Sequence, residues 1–128
     1  MITSKFVLGG KAIFTVDNGK GEHFTYKINK HKHDDIYFAN VLSGSDGAYS
    51  YMGVFDKNTF NVYKGAKGMN SSAKSVRVLE WAMRVIKGDT MLPDGYDIMH
   101  EGMCGRCGRQ LTDPESIKCG FGSTCKNK

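Results

Sequence analysis

All four cysteines of this 128-residue chain fall within its last 25 positions, inside HEGMCGRCGRQLTDPESIKCGFGSTCKNK, residues 100–128. From Cys104 onward only Leu111, Ile117 and Phe121 are large and apolar. Three such side chains cannot enclose a core, so hydrophobic burial alone does not fold this segment. Clustered thiols supply the missing stabilisation if they share a metal ion. Structural zinc takes four sulfur or nitrogen ligands in a tetrahedron, with sulfur at about 2.3 Å. In small pieces of this kind it contributes folding energy on the order of 10 kcal/mol or more. Cys104 and Cys107 form C-x2-C, and Gly105 and Gly108 leave the backbone free for a tight knuckle. Such a knuckle points amide N–H groups at the thiolates and offsets their charge.

Seventeen residues separate Cys107 from Cys125, a normal span for the second half of a ribbon or treble-clef-like site. The fourth ligand has two candidates. His100 gives H-x3-C-x2-C-x17-C, and Cys119 gives C-x2-C-x11-C-x5-C. Spacing alone leans to the all-cysteine set, because thiolates dominate structural sites. Either set is closed, so one structural Zn2+ is the expected cofactor and catalytic zinc is not expected.

The preceding residues read as strands. KAIFTVD alternates, with Ala12, Phe14 and Val16 on one face. HFTYKIN groups Phe24, Tyr26 and Ile28, and DIYFANVL, apolar on both faces, reads as a central strand covered on both sides. AYSYMGVF aligns Tyr49, Tyr51 and Phe55, with Gly53 as a bulge or close-approach position, and TFNVYK is a shorter fifth strand. The breaks at DNGKG, SGSDG and DKN are short turn sequences, which favour hairpins. A helix fits residues 72–87, capped by Ser71 or Ser72 and closed by Gly88. Arg77, Glu80, Arg84 and Lys87 form its polar stripe, and Trp81 reads as core. The expected fold is therefore α+β: a five-stranded antiparallel meander packed on one helix, then a small C-terminal zinc knuckle or ribbon. Residues 1–90 carry the sheet and helix, and residues 91–128 carry an acidic connector and the metal motif.

Net charge is +5. Between Lys57 and Lys87 seven basic residues face only Glu80, a local +6, whereas Gly88 to Glu101 holds four acidic residues and no Lys or Arg, a local −4. A basic block attracts nucleic-acid phosphates or acidic protein surfaces. Lys64, Lys67, Lys74, Arg77, Arg84, Arg106 and Arg109 are the candidate partner-binding residues. Tyr37, Tyr63 and Lys27 are further candidates for contacting single-stranded nucleic acid. No apolar run has the length of a signal-peptide core or approaches the ~20 residues of a membrane span. The expected location is the cytoplasm, with no membrane partner.

The stretch CGRCGRQLTDPESIKCGFGSTC resembles a small zinc-binding motif, C-x2-C-G-R-x-L-T-x-P-x-S-x(3)-G-x-G-P-x-C. That motif belongs to a domain family of unknown function found in bacteriophage and other mobile-element proteins. The match runs from Cys104 to Cys125, and FTYKI and VLSGSDGAYSYMGVF resemble strands that precede the motif in small uncharacterised phage proteins. Cys104, Cys107 and Cys125 match the patterned cysteines. The resemblance implies His100 as the fourth ligand, with Cys119 as the spare, which reverses the lean from spacing. Ser123 stands where the pattern has proline. The resemblance implies zinc and a phage-type origin, and no reaction. The expected function is a non-enzymatic zinc-binding protein that modulates or inhibits a host macromolecular system, either host defence or nucleic-acid machinery. Its partner is then a host protein or nucleoprotein complex in the host cytoplasm, met by a monomer or small homo-oligomer. The alternative is direct binding of single-stranded DNA or RNA.

Overall fold

The computed structural model describes residues 2–122, 124 and 125. Ser123, the departure from the motif, lies outside the described residues. Six strands form one antiparallel sheet: β1 (Lys11–Asp17), β2 (His23–Lys30), β3 (Tyr37–Leu42), β4 (Tyr49–Phe55), β5 (Val62–Tyr63) and β6 (Asp97–His100). Their order is β5-β4-β3-β2-β1-β6. The expected meander accounts for the first five. The sixth comes from the connector, which pairs Ile98 with Val16 and His100 with Phe14. Four residues with a single fully buried apolar side chain, Ile98, give too little alternation to read as a strand, but β1 otherwise presents an unpaired edge, and pairing satisfies its backbone groups.

Register explains which side chains are buried. Phe14 faces Tyr26, Ala12 faces Ile28, and Ile28 faces Ala39 across the ladder, so one sheet face is continuously apolar. Helix α2 (Lys74–Lys87) lies on that face: Val76, Leu79, Ala82, Met83 and Val85 are buried in the same core as Phe14, Tyr26 and Phe55. The Tyr26 hydroxyl donates to the Ser75 carbonyl at 2.7 Å, which ties the helix start to the middle of the sheet. Burial pushes the Tyr26 phenol far above its ordinary range. Gly88 closes the helix with a left-handed φ of 89°, as expected. The cap at the other end differs. Ala73 occupies the N-cap with no side-chain bond, because the Ser72 hydroxyl instead donates to Asn70.

Three further readings change. β3 is covered on one side only, with Tyr37, Ala39 and Val41 buried and Leu42 exposed. A register shift at Ala39/Asn40 turns Tyr49 and Tyr51 to the face opposite Phe55. Gly53 makes that shift possible: its φ is +150°, and a Cβ there would collide with the Tyr63 carbonyl. The fifth strand shrinks to two residues because Phe60 adopts φ 62° and the Asp56 carboxylate accepts from Asn58 and Thr59, forming a turn. Two short helices were not anticipated. In α1 (Ser4–Val7), capped by Thr3, Phe6 and Val7 are buried. In α3 (Pro114–Cys119), Asp113 caps the N-terminus by accepting from the Ser116 amide. No helix of the described chain is long and apolar enough to cross a membrane.

Candidate metal centre

The C-terminal motif is joined to the sheet by backbone contacts. After β6, Glu101 N–H donates to Ile13, and the chain folds back with Leu111 N–H donating to Gly102 at 2.7 Å. The knuckle closes through Cys104 N–H to the Arg109 carbonyl, 2.8 Å, and Gly108 N–H to the Cys104 carbonyl, 2.9 Å. Gly105 then links three parts of the molecule. Its N–H donates to Gly120 at the end of α3, and its carbonyl accepts from Lys11 at the start of β1. A Cβ at Gly105 would lie 2.8 Å from the Phe6 ring, and one at Gly120 would also strike that ring. Both glycines are therefore required by close approach to Phe6, which also meets Phe121 edge-on at 5.9 Å and His100 at 5.6 Å.

This folding gathers three thiols. The sulfur atoms of Cys104, Cys107 and Cys125 all lie within 4.8 Å of one another. Four-coordinate thiolate sites place sulfurs about 3.8 Å apart, from metal–sulfur bonds of about 2.3 Å, so these three suit one shared ion. Cys104 is buried, Cys125 half-buried and Cys107 exposed. Burial alone would raise the Cys104 thiol, but N–H donation from Cys107, Gly122 and Arg106, with the neighbouring Cys107 thiol, outweighs it and lowers the pKa to about 7. Cys125 moves upward, through burial and then through the two neighbouring thiols. Cys104 thus provides a readily ionised sulfur, while Cys125 gives up its proton as a cation arrives.

Neither candidate for the fourth ligand belongs to this trio. His100 points to the core side of β6, where its Nδ1 accepts from Gly102 N–H at 2.9 Å and its Nε2 is held by the Ile117 carbonyl. Both ring nitrogens are engaged by backbone. Cys119 ends α3 with its thiol turned to the carbonyls of Ser116 and Phe121, at 3.7 and 3.4 Å. Both residues therefore buttress the walls of the motif in this conformation.

A pH dependence follows from the depressed Cys104 thiol. Its metal-ready thiolate is present above about pH 7 and is lost as pH falls through that value. Plots of log affinity for a divalent metal against pH should therefore steepen by about one proton below pH ~7. Competition with a chromophoric chelator between pH 8 and 6 measures this, and a constant slope through pH 7 would contradict it.

The predicted basic residues do not form one patch. Lys74, Arg77 and Arg84 line a groove of about 810 Å³ between α2, the start of β2 and the connector. Lys64 and Lys67 lie on the loop after β5, while Arg106 and Arg109 are exposed on the knuckle. Tyr63 is exposed, and Lys27 lies over the Tyr49 ring at 5.6 Å. Tyr37 is buried instead, with its hydroxyl donating to the Leu8 carbonyl at 2.9 Å, so it offers no ring to a ligand. Trp81 is half-buried rather than fully core, and meets Tyr96 edge-on at 5.5 Å. Tyr96 and Phe24 were not anticipated at this groove. The helical spacing of Lys74, Arg77, Trp81 and Arg84 does place those four on one stripe.

Three close cysteines that could hold one metal ion thus sit at the C-terminal end of an α+β protein with an antiparallel sheet. A model of a family of unknown function, DUF6011, matches residues 97–128, which takes in β6 and all four cysteines. No curated protein and no solved structure matches the chain.

Proposed function

We propose that this protein is a non-enzymatic binding module. In this reading one structural zinc ion on Cys104, Cys107 and Cys125 locks the C-terminal motif to the sheet, and the braced surface binds single-stranded nucleic acid. Thiolate ligands favour zinc over harder cations. The ion's contribution is folding energy, delivered through Gly105 to β1 and through Gly120 and Phe121 to α1.

The observation that carries the nucleic-acid reading is uncompensated positive charge. Of the seven candidate basic residues only Lys74 has a carboxylate partner among the described residues, namely Glu22. Exposed, unpaired Lys and Arg are free to replace the counterions of phosphates. A host protein met through the acidic connector is less supported, because Asp89 already lies 3.6 Å from the Lys87 ammonium. A role in host defence or in host nucleic-acid machinery remains the wider setting proposed for such a module.

Titration with labelled single- and double-stranded oligonucleotides at two salt concentrations tests the reading. Three phosphate contacts imply about a twentyfold loss of single-strand affinity between 50 and 200 mM salt, from a slope of about −0.7 per phosphate. Absence of binding at low salt would end the nucleic-acid reading and leave the structural role of the metal standing.

A further inference from the structure

We infer that the groove beside α2 is the binding site for single-stranded nucleic acid, with the Trp81 indole stacking a base and Arg77 and Arg84 holding phosphates on either side. This rests on the nucleic-acid reading above and deepens it by naming the site.

The helix places the three groups in line. Trp81 follows Arg77 by four residues and precedes Arg84 by three, so all share one stripe. The two arginines are about 10.5 Å apart along the axis, at about 1.5 Å per residue. Phe24 of β2 and Pro93 and Tyr96 of the connector also line the groove. Its volume of about 810 Å³ lies in the range of sites that enclose a small organic group. The edge-on contact with Tyr96 fixes the orientation of the indole.

Charge selects the occupant. Five charged side chains line this groove: Glu22, Lys74, Arg77, Glu80 and Arg84. Glu22 pairs with Lys74, and Glu80, also on the groove wall, has one carboxylate oxygen engaged by the Val62 N–H at 2.9 Å. Arg77 and Arg84 are exposed and have no carboxylate partner among the described residues. His23 also lines the groove. Guanidinium forks match phosphate oxygens in pairs. An acidic peptide would satisfy the two arginines and leave the indole unused. A duplex keeps its bases stacked inside and equally leaves it unused. A single strand presents phosphates and an unstacked base together, and base–aromatic stacking tolerates any base.

Trp81 is the one tryptophan in the chain, so its emission reports directly on this groove. The experiment titrates the full chain with an oligothymidylate of about 12 residues, within the known range of single-strand site sizes. Emission and anisotropy are followed together at several salt concentrations. The expected result is saturable quenching of Trp81 with the same midpoint as anisotropy. Arg77→Gln with Arg84→Gln, both on exposed positions, should weaken binding at least tenfold at low salt and make the salt slope shallower by about 1.4, two phosphates at about 0.7 each. Trp81→Phe, which keeps a ring, should weaken binding less than the double arginine variant.

Binding without quenching, or a double variant that keeps the wild-type affinity and slope, would overturn the groove and leave the nucleic-acid reading intact. No binding by the wild type would overturn both. Quenching at equal concentration by thymidine monophosphate, by duplex or by polyglutamate would overturn the assignment to a single strand.

Discussion

Cys104→Ser is expected to abolish stoichiometric metal binding and to unfold the segment from Glu101 to Cys125 as a unit. Cys104 is the buried member of the trio and the one whose sulfur accepts from Arg106 and Gly122, each at 3.4 Å. Serine keeps the shape but not the thiolate, and two remaining sulfurs do not hold the ion. The loss is then most of the site's folding energy, on the order of 10 kcal/mol for structural zinc, in a segment whose own buried apolar side chains are few. Hydrogen exchange reads the outcome locally. The amides of Cys104, Gly105, Gly108 and Leu111 should lose protection, while the ladder between β2 and β3 keeps its own. Unchanged protection at Gly105 and Leu111 would show that the motif folds without the metal.

Phe6→Ala should be the most damaging single truncation outside the thiols, at about 3–5 kcal/mol. Phe6 is 1% exposed, and its ring is where α1, Gly105, Gly120, Phe121 and His100 converge. Both glycines are fitted to this ring, so the cavity cannot close by moving a neighbouring side chain into it. At a few degrees per kcal/mol, the melting temperature should fall by about 10–20 °C. Metal affinity should fall as well, because the ring supports both the knuckle and the end of α3. A drop in stability below about 1 kcal/mol would mean that the motif does not depend on α1.

Much of this architecture was legible because its signals are local. Alternation over six to eight residues found β1 and β2 with the correct inward faces, and Gly88 marked the end of α2. The C-x2-C spacing with Gly105 and Gly108 located the knuckle, and Cys107 to Cys125 closed the trio. What was hidden depends on partners distant in sequence. β6 exists because β1 offers an edge, and nothing in DIMH itself demands a strand. The burial of Tyr37 goes with its bond to Leu8, the C-cap of α1, a four-residue helix too short to read from pattern. The reversal of Tyr49 and Tyr51 follows from one extra residue at a bulge, since a shift of one position exchanges the two faces of a strand. Spacing leaned to Cys119 and the motif resemblance to His100, but neither signal carries side-chain orientation. Their orientations are set instead by backbone groups of Gly102, Ile117, Ser116 and Phe121.

The central claim is that one zinc ion sits on Cys104, Cys107 and Cys125 and is required for the C-terminal motif. Native mass spectrometry of the full chain, expressed with zinc, tests it most directly, on wild type, Cys104→Ser, Cys119→Ala and His100→Ala. The account predicts one zinc per chain in the wild type, none in Cys104→Ser, and full retention in Cys119→Ala, with His100→Ala reporting whether that imidazole turns in to complete the tetrahedron. A wild type without zinc, or a Cys104→Ser variant that still carries it, would contradict the account.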